Sequence, residues 1–536
     1  MQYARGLACH QAGSTECLRV GPLDRSKTED TMTALPLPRR LVCTLVGLLA
    51  SAAAAHAAAA NPLRLAPIFT DHMVIQQEMP IVVWGWAQPG QEVGVEFNGR
   101  SAKARAGADG AWRVALPAAK ADGKTHTLSV NGGGTMVLND VLLGEVWLCS
   151  GQSNMGRPVT EADAKQADFP QIRLFNSSGE TPRRAGMDDV TGWVVCSPAS
   201  LVKSGDGKGT ERRGFSEVAY VFGRKLHQEL KVPVGLIQAN CGGSTAKDWT
   251  PPPAEVAAKL AYDQPLAKLT HQNGLLHWVR LRGLVPFAVR GVVWYQGEDD
   301  GRNPNYGDDL KNLIESWRKL WGRPEMPFYF AQIAQTGYAG GMLGVWEGQV
   351  QVMHSVPHTG LAVSNDIYDG TTNGGFAERP DKVTGWPLAG GSNPHPTGKP
   401  RVAARLADIA LVKLYGQPDR TVFGPMYAAH EIRGDKVLVK FQYAGGGLTT
   451  RDGKTPDWFE ISDGTKDRNK LVYVKAQAKI VGKDTVEVWA AEVQTPQYVR
   501  FGWNTLARFN LMNQEGLPAV SFRTEPAARP KEDRDP

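Results

Sequence analysis

Four short runs in this chain carry side chains able to move an acyl group. Three are Gly151-Gln152-Ser153-Asn154-Met155, Gln238-Ala239-Asn240-Cys241-Gly242-Gly243-Ser244 and Tyr295-Gln296-Gly297-Glu298-Asp299. The fourth, Asn393-Pro394-His395-Pro396, supplies an imidazole held between two prolines. Acyl transfer needs a hydroxyl nucleophile, a base for its proton, and donors for the oxyanion. Ser153 is the candidate nucleophile and His395 the candidate base. The backbone N–H groups of Ser153 and Gly243, with the side-chain amide of Gln296, are the candidate oxyanion donors. Gln152, Asn154 and Trp249 are candidate substrate contacts, Trp249 as a face on which a sugar stacks. The Ser153 run is not a G-x-S-x-G elbow, because Met155 stands where that motif has Gly. A Ser on a Gly turn is by itself only a turn residue, so the other runs must carry the inference.

Each of the first three runs follows an apolar stretch: Val141 to Val146, Gly235 to Ile237, and Val292 to Trp294. These read as buried strands, and helical spacing appears between them, at 215–230, 310–320 and 402–415. Such alternation predicts a mostly parallel sheet with helices on both faces, in which ligands bind at the carboxyl ends of the strands. Flanking it on both sides are short alternating runs punctuated by Pro-Gly, Asn-Gly and Asp-Gly, the pattern of small all-β units. The expected organisation is an upstream extension and signal peptide (1–57), an N-terminal β domain (58–140), and an α/β domain (141–417) with a Gly-rich insert at about 371–392. A C-terminal β domain (418–525) and a tail (526–536) complete it.

At 536 residues the chain is long enough for two or three domains. Arg39-Arg40, the apolar run from Leu41 to Ala55, and Ala55-His56-Ala57 have the form of a signal peptide with a small-x-small cleavage site. Met32 is a natural start for it, and the expected location is periplasmic or secreted. The apolar run is too short to span a bilayer as a mature helix. Cleavage after Ala57 reduces the formal charge from +6 to +4, with no basic block, which gives no case for nucleic acid. Three cysteines follow that point (Cys149, Cys196 and Cys241), and no cluster has metal-ligand spacing.

The runs in this order resemble the SGNH hydrolases, in particular the sialate O-acetylesterase-like carbohydrate esterases. The matching stretches are Gly144-Glu145-Val146-Trp147 leading into Ser150 to Met155, Gly242-Gly243-Ser244, Trp294 to Glu298, and His395-Pro396 with Lys399 and Arg405-Leu406-Ala407. Asp71 to Gln76 and Val499 to Trp503 with Asn510 to Ala519 extend the likeness over nearly all of the mature chain. The resemblance implies a flavodoxin-like three-layer α/β/α esterase domain with β-sandwich or jelly-roll-like accessory segments. It also implies a serine esterase that removes acetyl groups from sugar hydroxyls without metal or cofactor. In this branch Gln stands where other SGNH enzymes use Asn, which supports Gln296 as an oxyanion donor.

The acid of the triad is where the chain departs from the pattern. SGNH enzymes carry Asp three residues before the His, and here that position is Ser392, with Asn393 next. Three accounts follow. Glu298 supplies the carboxylate from its strand end; or Asp366 or Asp369 folds back to His395; or a Ser–His dyad works with a backbone carbonyl holding the ring. Asp299 and Asp300 read as a solvated acidic turn. The expected substrate is an acetylated oligosaccharide or polysaccharide. Plant hemicellulose (xyloglucan or xylan) stands ahead of 9-O-acetyl sialic acid, because no Arg directly flanks the runs and the insert with Trp386 would lengthen the cleft. A carbohydrate-binding protein that has lost its acid is the alternative from another class.

Overall fold

The computed structural model describes residues 63–177, 192–202, 214–252, 274–338, 341–368, 379–380, 385–388, 393–417 and 420–526. The signal peptide, Asp369, most of the Gly-rich insert and nearly all of the tail lie outside them.

The central sheet has seven strands. In chain order they are β1 (Thr135–Gly151), β2 (Phe169–Asn176), β3 (Trp193–Cys196), β4 (Val234–Asn240), β5 (Gly291–Tyr295), β6 (Phe328–Ala331) and β7 (Thr359–Ala362). Across the sheet they run β3-β2-β4-β1-β5-β6-β7. All neighbours are parallel except the edge pair β3–β2. Every residue of β5, β6 and β7 is buried, as is β1 from Val141 onward, so both faces are covered. The cover comes from two helix pairs: α1 (Glu217–Leu230) packs with α4 (Lys399–Lys413), and α2 (Tyr306–Leu320) with α3 (Met342–Ser355). This is a three-layer α/β/α fold.

Strand β1 is 17 residues long and changes character midway. Its first residues alternate between exposed and half-buried and pair antiparallel with His126–Asn131 of the N-terminal β region. From Val141 it is fully buried and pairs parallel with β4 and β5. The 140/141 boundary therefore falls inside one strand, at the point where one solvated face becomes none. Val74–Gln76 also pairs with Leu142–Gly144, and the two regions share one hydrophobic core.

After α4 come two four-stranded antiparallel sheets around a second core. Met426–Arg433, Lys436–Gln442, Thr485–Trp489 and Gln477–Ile480 form one; Phe459–Ser462 and Tyr498–Phe501 are central in the other. Trp386 and Leu388, from the described part of the insert, belong to this core, and Leu388 bridges to Ala507. Trp386 is only 6% exposed. The insert's tryptophan thus docks on the C-terminal sheets instead of standing in an extended cleft. Cys149 and Cys196 are buried and Cys241 is half-buried, and none of the three is in a disulfide. No helix among the described residues is long and apolar enough to cross a membrane.

Candidate active site

The chain leaves β1 for β2 and β4 on one side and then crosses to β5, β6 and β7 on the other, so a topological switch point lies at the carboxyl end of β1. Gly151 is in register with Asn240 of β4 and Tyr295 of β5, which launches the three chemically loaded loops from one level. Gln152 N–H donates to Tyr295 O at 3.0 Å, and Cys241 N–H to Gly151 O at 3.0 Å, tying the loops together. Gly151 has φ 137°, and a Cβ there would sit 2.1 Å from the Tyr295 carbonyl oxygen, so no other residue fits. Ser153 opens the next four-residue helix, Ser153–Gly156. The Gly242 backbone lies against it, since a Cβ on Gly242 would be 3.5 Å from Ser153 Cβ. Gly243 follows with φ 72° and open space around it.

Although 242 residues separate them, Ser153 Oγ and His395 Nε2 are 2.9 Å apart. On its other side, His395 Nδ1 lies 3.1 Å from Asn393 Oδ1, which also accepts the His395 backbone N–H at 3.1 Å. A backbone N–H can only donate, so it fixes the Asn393 amide with its oxygen toward the imidazole. Nδ1 then carries the proton and Nε2 is left to accept from Ser153 Oγ. An amide oxygen thus selects the tautomer that a carboxylate selects in a Ser-His-Asp triad. The Asn393 backbone is held in turn by Tyr368 Oη at 3.0 Å.

The carbonyls flanking His395 are clamped from two elements. Asn154 Nδ2 donates to Pro394 O at 2.8 Å and to Glu298 Oε1, while Lys399 Nζ donates to Pro396 O. Burial, with the charges of Arg157 and Lys399, pushes the His395 imidazole down to about 4, which keeps it neutral and able to accept a proton. Burial also pushes the Glu217 and Glu298 carboxyls up to about 7 and the Lys399 ammonium down to about 8.

Several expected roles do not survive this geometry. Glu298 is 1% exposed and bonds to Asn154, not to His395. Asp366 is engaged by Arg405 at 2.7 Å through both carboxylate oxygens and by Arg401, which takes it out of the competition for His395. Gln296 directs its amide hydrogens to Ser244 O at 3.0 Å and Asp300 Oδ2 at 2.5 Å, leaving none for an oxyanion. Trp249 is fully buried against Trp294, with its indole N–H on Ser244 Oγ at 2.9 Å, so it offers no stacking face. Gln152, also buried, joins Asp299 Oδ2 at 2.8 Å to the Gly297 N–H at 3.2 Å. Asn154 is a clamp beneath the base, not a substrate contact. Asp300 is buried and bonded to Ala246 N–H as well as Gln296, so the acidic turn is not solvated. Of the oxyanion candidates, the Ser153 N–H belongs to the nucleophile's own residue, and Gly243 follows Gly242, whose backbone packs against Ser153.

Arg157 was overlooked by sequence reasoning. It lies four residues past Ser153, is exposed, and its charge acts on His395. The signal was its place two residues after the Ser153 run.

A serine–histidine pair at the switch point of a three-layer parallel sheet, ringed by glycine loops, defines a serine hydrolase of the SGNH class. Residues 143–376 match the family described as carbohydrate esterase, sialic acid-specific acetylesterase. The chain is 27% identical to a human sialate O-acetylesterase over 430 residues, covering 71% of this chain and 76% of that protein. It is 26% identical to a rat sialate O-acetylesterase over 524 residues, covering 82% and 90%. A crystal structure of a carbohydrate acetylesterase from Xanthomonas citri superposes with a TM-score of 0.72 at 28% identity, covering 87% of this chain and all of that one. Over these spans the chain is similar to the sialate O-acetylesterase-like carbohydrate esterases of the SGNH type, and it is a serine acetylesterase.

Proposed function

We propose that Ser153 and His395 cleave O-acetyl esters of sugars through an acetyl-enzyme. Ser153 Oγ attacks the acetyl carbonyl carbon while His395 Nε2 takes its proton. The Ser153 and Gly243 N–H groups receive the oxyanion. Collapse breaks the ester C–O bond, and the sugar oxygen leaves with the proton from His395. Water, deprotonated by the same nitrogen, then attacks the acetyl carbon; acetate departs, and Ser153 Oγ recovers its proton. The carrying observation is the 2.9 Å Oγ–Nε2 contact, backed by Asn393 holding the opposite nitrogen.

For the sugar, Arg157 favours an acidic residue. An exposed guanidinium beside the base is suited to a carboxylate, and the related proteins are sialate esterases by name. The case for neutral hemicellulose loses its structural support with Trp386 buried elsewhere. Acetate release from 9-O-acetyl sialic acid, acetylated xyloglucan and acetylated xylan tests this. Sialate is expected to have the highest kcat/KM, with Arg157→Gln raising its KM. A preference for xyloglucan or xylan refutes the acidic reading, and turnover retained in Ser153→Ala refutes the mechanism.

A further inference from the structure

Away from Ser153, the C-terminal sheets carry a cleft of about 740 Å³, within the size range of small-molecule sites. One wall is the loop 452–457, the other the edge strand Gln477–Ile480, and Trp386, Trp489 and Asn510 complete the lining. The loop wall is pre-organised. Asn510 Nδ2 donates to Asp452 Oδ1 at 2.9 Å and Thr455 O at 3.0 Å, while the Asn510 and Asp457 backbones exchange bonds with each other's side chains. The strand wall presents Gln477 and Lys479, both exposed, and Trp489 lies in register with Gln477. Lys475 Nζ sits 5.0 Å from the Trp386 ring centre.

We propose that this cleft is a second, non-catalytic subsite for an acidic oligosaccharide. The half-buried Trp489 ring, beside fixed amide and carboxylate groups, matches the alternating apolar and hydroxyl faces of a sugar chain. Lys454, Lys475 and Lys479 against Asp452 and Asp457 leave a positive excess for its acid groups. Asp457, pushed up to about 6 by burial, adds little negative charge below that pH. Trp386 is nine residues before His395, so the chain bounds their separation at roughly 30 Å.

The inference rests on the glycan-esterase reading, and binding separates the two. Calorimetric titration of the full chain would use sialyllactose, trigalacturonate and xylotriose, none acetylated. Expected is binding of an acidic probe that persists in Arg157→Gln and is at least about tenfold weaker in the exposed-site double variant Lys475→Gln/Lys479→Gln. No binding, equal binding of xylotriose, or loss in Arg157→Gln with none in the double variant overturns it. Absent acetate release from 9-O-acetyl sialic acid with cleft binding intact refutes the proposed substrate and leaves the cleft standing.

Discussion

At the scale of single residues, the open question is how an esterase works with an amide where its relatives' pattern has a carboxylate. In the serine-protease template, Asp→Asn costs about 10⁴ because the amide presents its N–H and imposes the wrong tautomer. Here the His395 backbone N–H prevents that orientation by engaging Asn393 Oδ1. What Asn393 lacks is the charge that would stabilise the imidazolium. Asn393→Asp is therefore expected to raise kcat, by roughly tenfold, and to move the acid limb of kcat/KM upward as the new anion favours protonated His395. Asn393→Leu should lower kcat by roughly 10²-fold. Steady-state rates on p-nitrophenyl acetate from pH 3 to 9 read both effects, and a lower kcat in Asn393→Asp refutes the tautomer argument. The wild type carries its own pH signature. Catalysis needs neutral His395, whose imidazole is pushed down to about 4, so activity should persist at pH 5 and fall only as pH drops through about 4. Arg157→Gln removes one of the cations holding it down, so the limb should move to higher pH; an unmoved limb would place Arg157 outside the site. Ser153 and His395 were legible because their residue types and local punctuation are diagnostic. The orienting group was not, since a polar residue two positions before a His announces nothing until the turn is folded. Gln296 and Trp249 were misread for a related reason: their partners, Asp300 and Ser244, are set by loop shape.

At the scale of elements, alternation of strand and helix was legible, because buried parallel strands are continuous apolar runs. Loop closure was not. The site depends on three strand ends meeting at Gly151, where Tyr295 O and Cys241 N–H close around one residue. Gly151→Ala introduces a Cβ 2.1 Å from a backbone oxygen and a φ that L-residues rarely adopt. Backbone, unlike a flexible side chain, cannot swing aside. The loss should exceed about 2 kcal/mol, seen as a lower urea midpoint, together with loss of the Ser153–His395 alignment and hence of turnover. Gly243→Ala meets open space and differs only through its φ of 72°, so it should cost about 1 kcal/mol. Equal stability losses in the two variants would show that strand-end crowding is not what demands glycine at 151.

At the scale of the whole molecule, sequence punctuation marked where β1 changes partners but not that one strand would serve both regions. Nor did it reveal that Trp386 would anchor the chain before His395 in the C-terminal core. The catalytic half and the C-terminal sheets are further joined by Gln335 to Ala507 O at 3.2 Å, Asn365 to Ala519 O at 3.2 Å, and the Glu347–Arg523 pair at 2.7 Å. Such long-range closure depends on geometry absent from any local pattern. Its consequence for stability is carried by groups the closure buries. Glu217 sits in the first turn of α1, where the helix dipole favours an anion, yet burial dominates and lifts its carboxyl to about 7. A carboxyl bound more tightly to its proton in the folded chain than in the unfolded one stabilises the fold fully below the unfolded value of 4.5. That contribution is lost as pH rises through about 7. Gln at 217 mimics the protonated form at every pH. Glu217→Gln should therefore match wild type in Tm at pH 4 and exceed it at pH 8, with the gap opening between pH 4.5 and 7. Calorimetric melts of both proteins across that window check it. A variant less stable than wild type at pH 8 would mean that the Glu217 anion, through Lys399, contributes more than its burial costs.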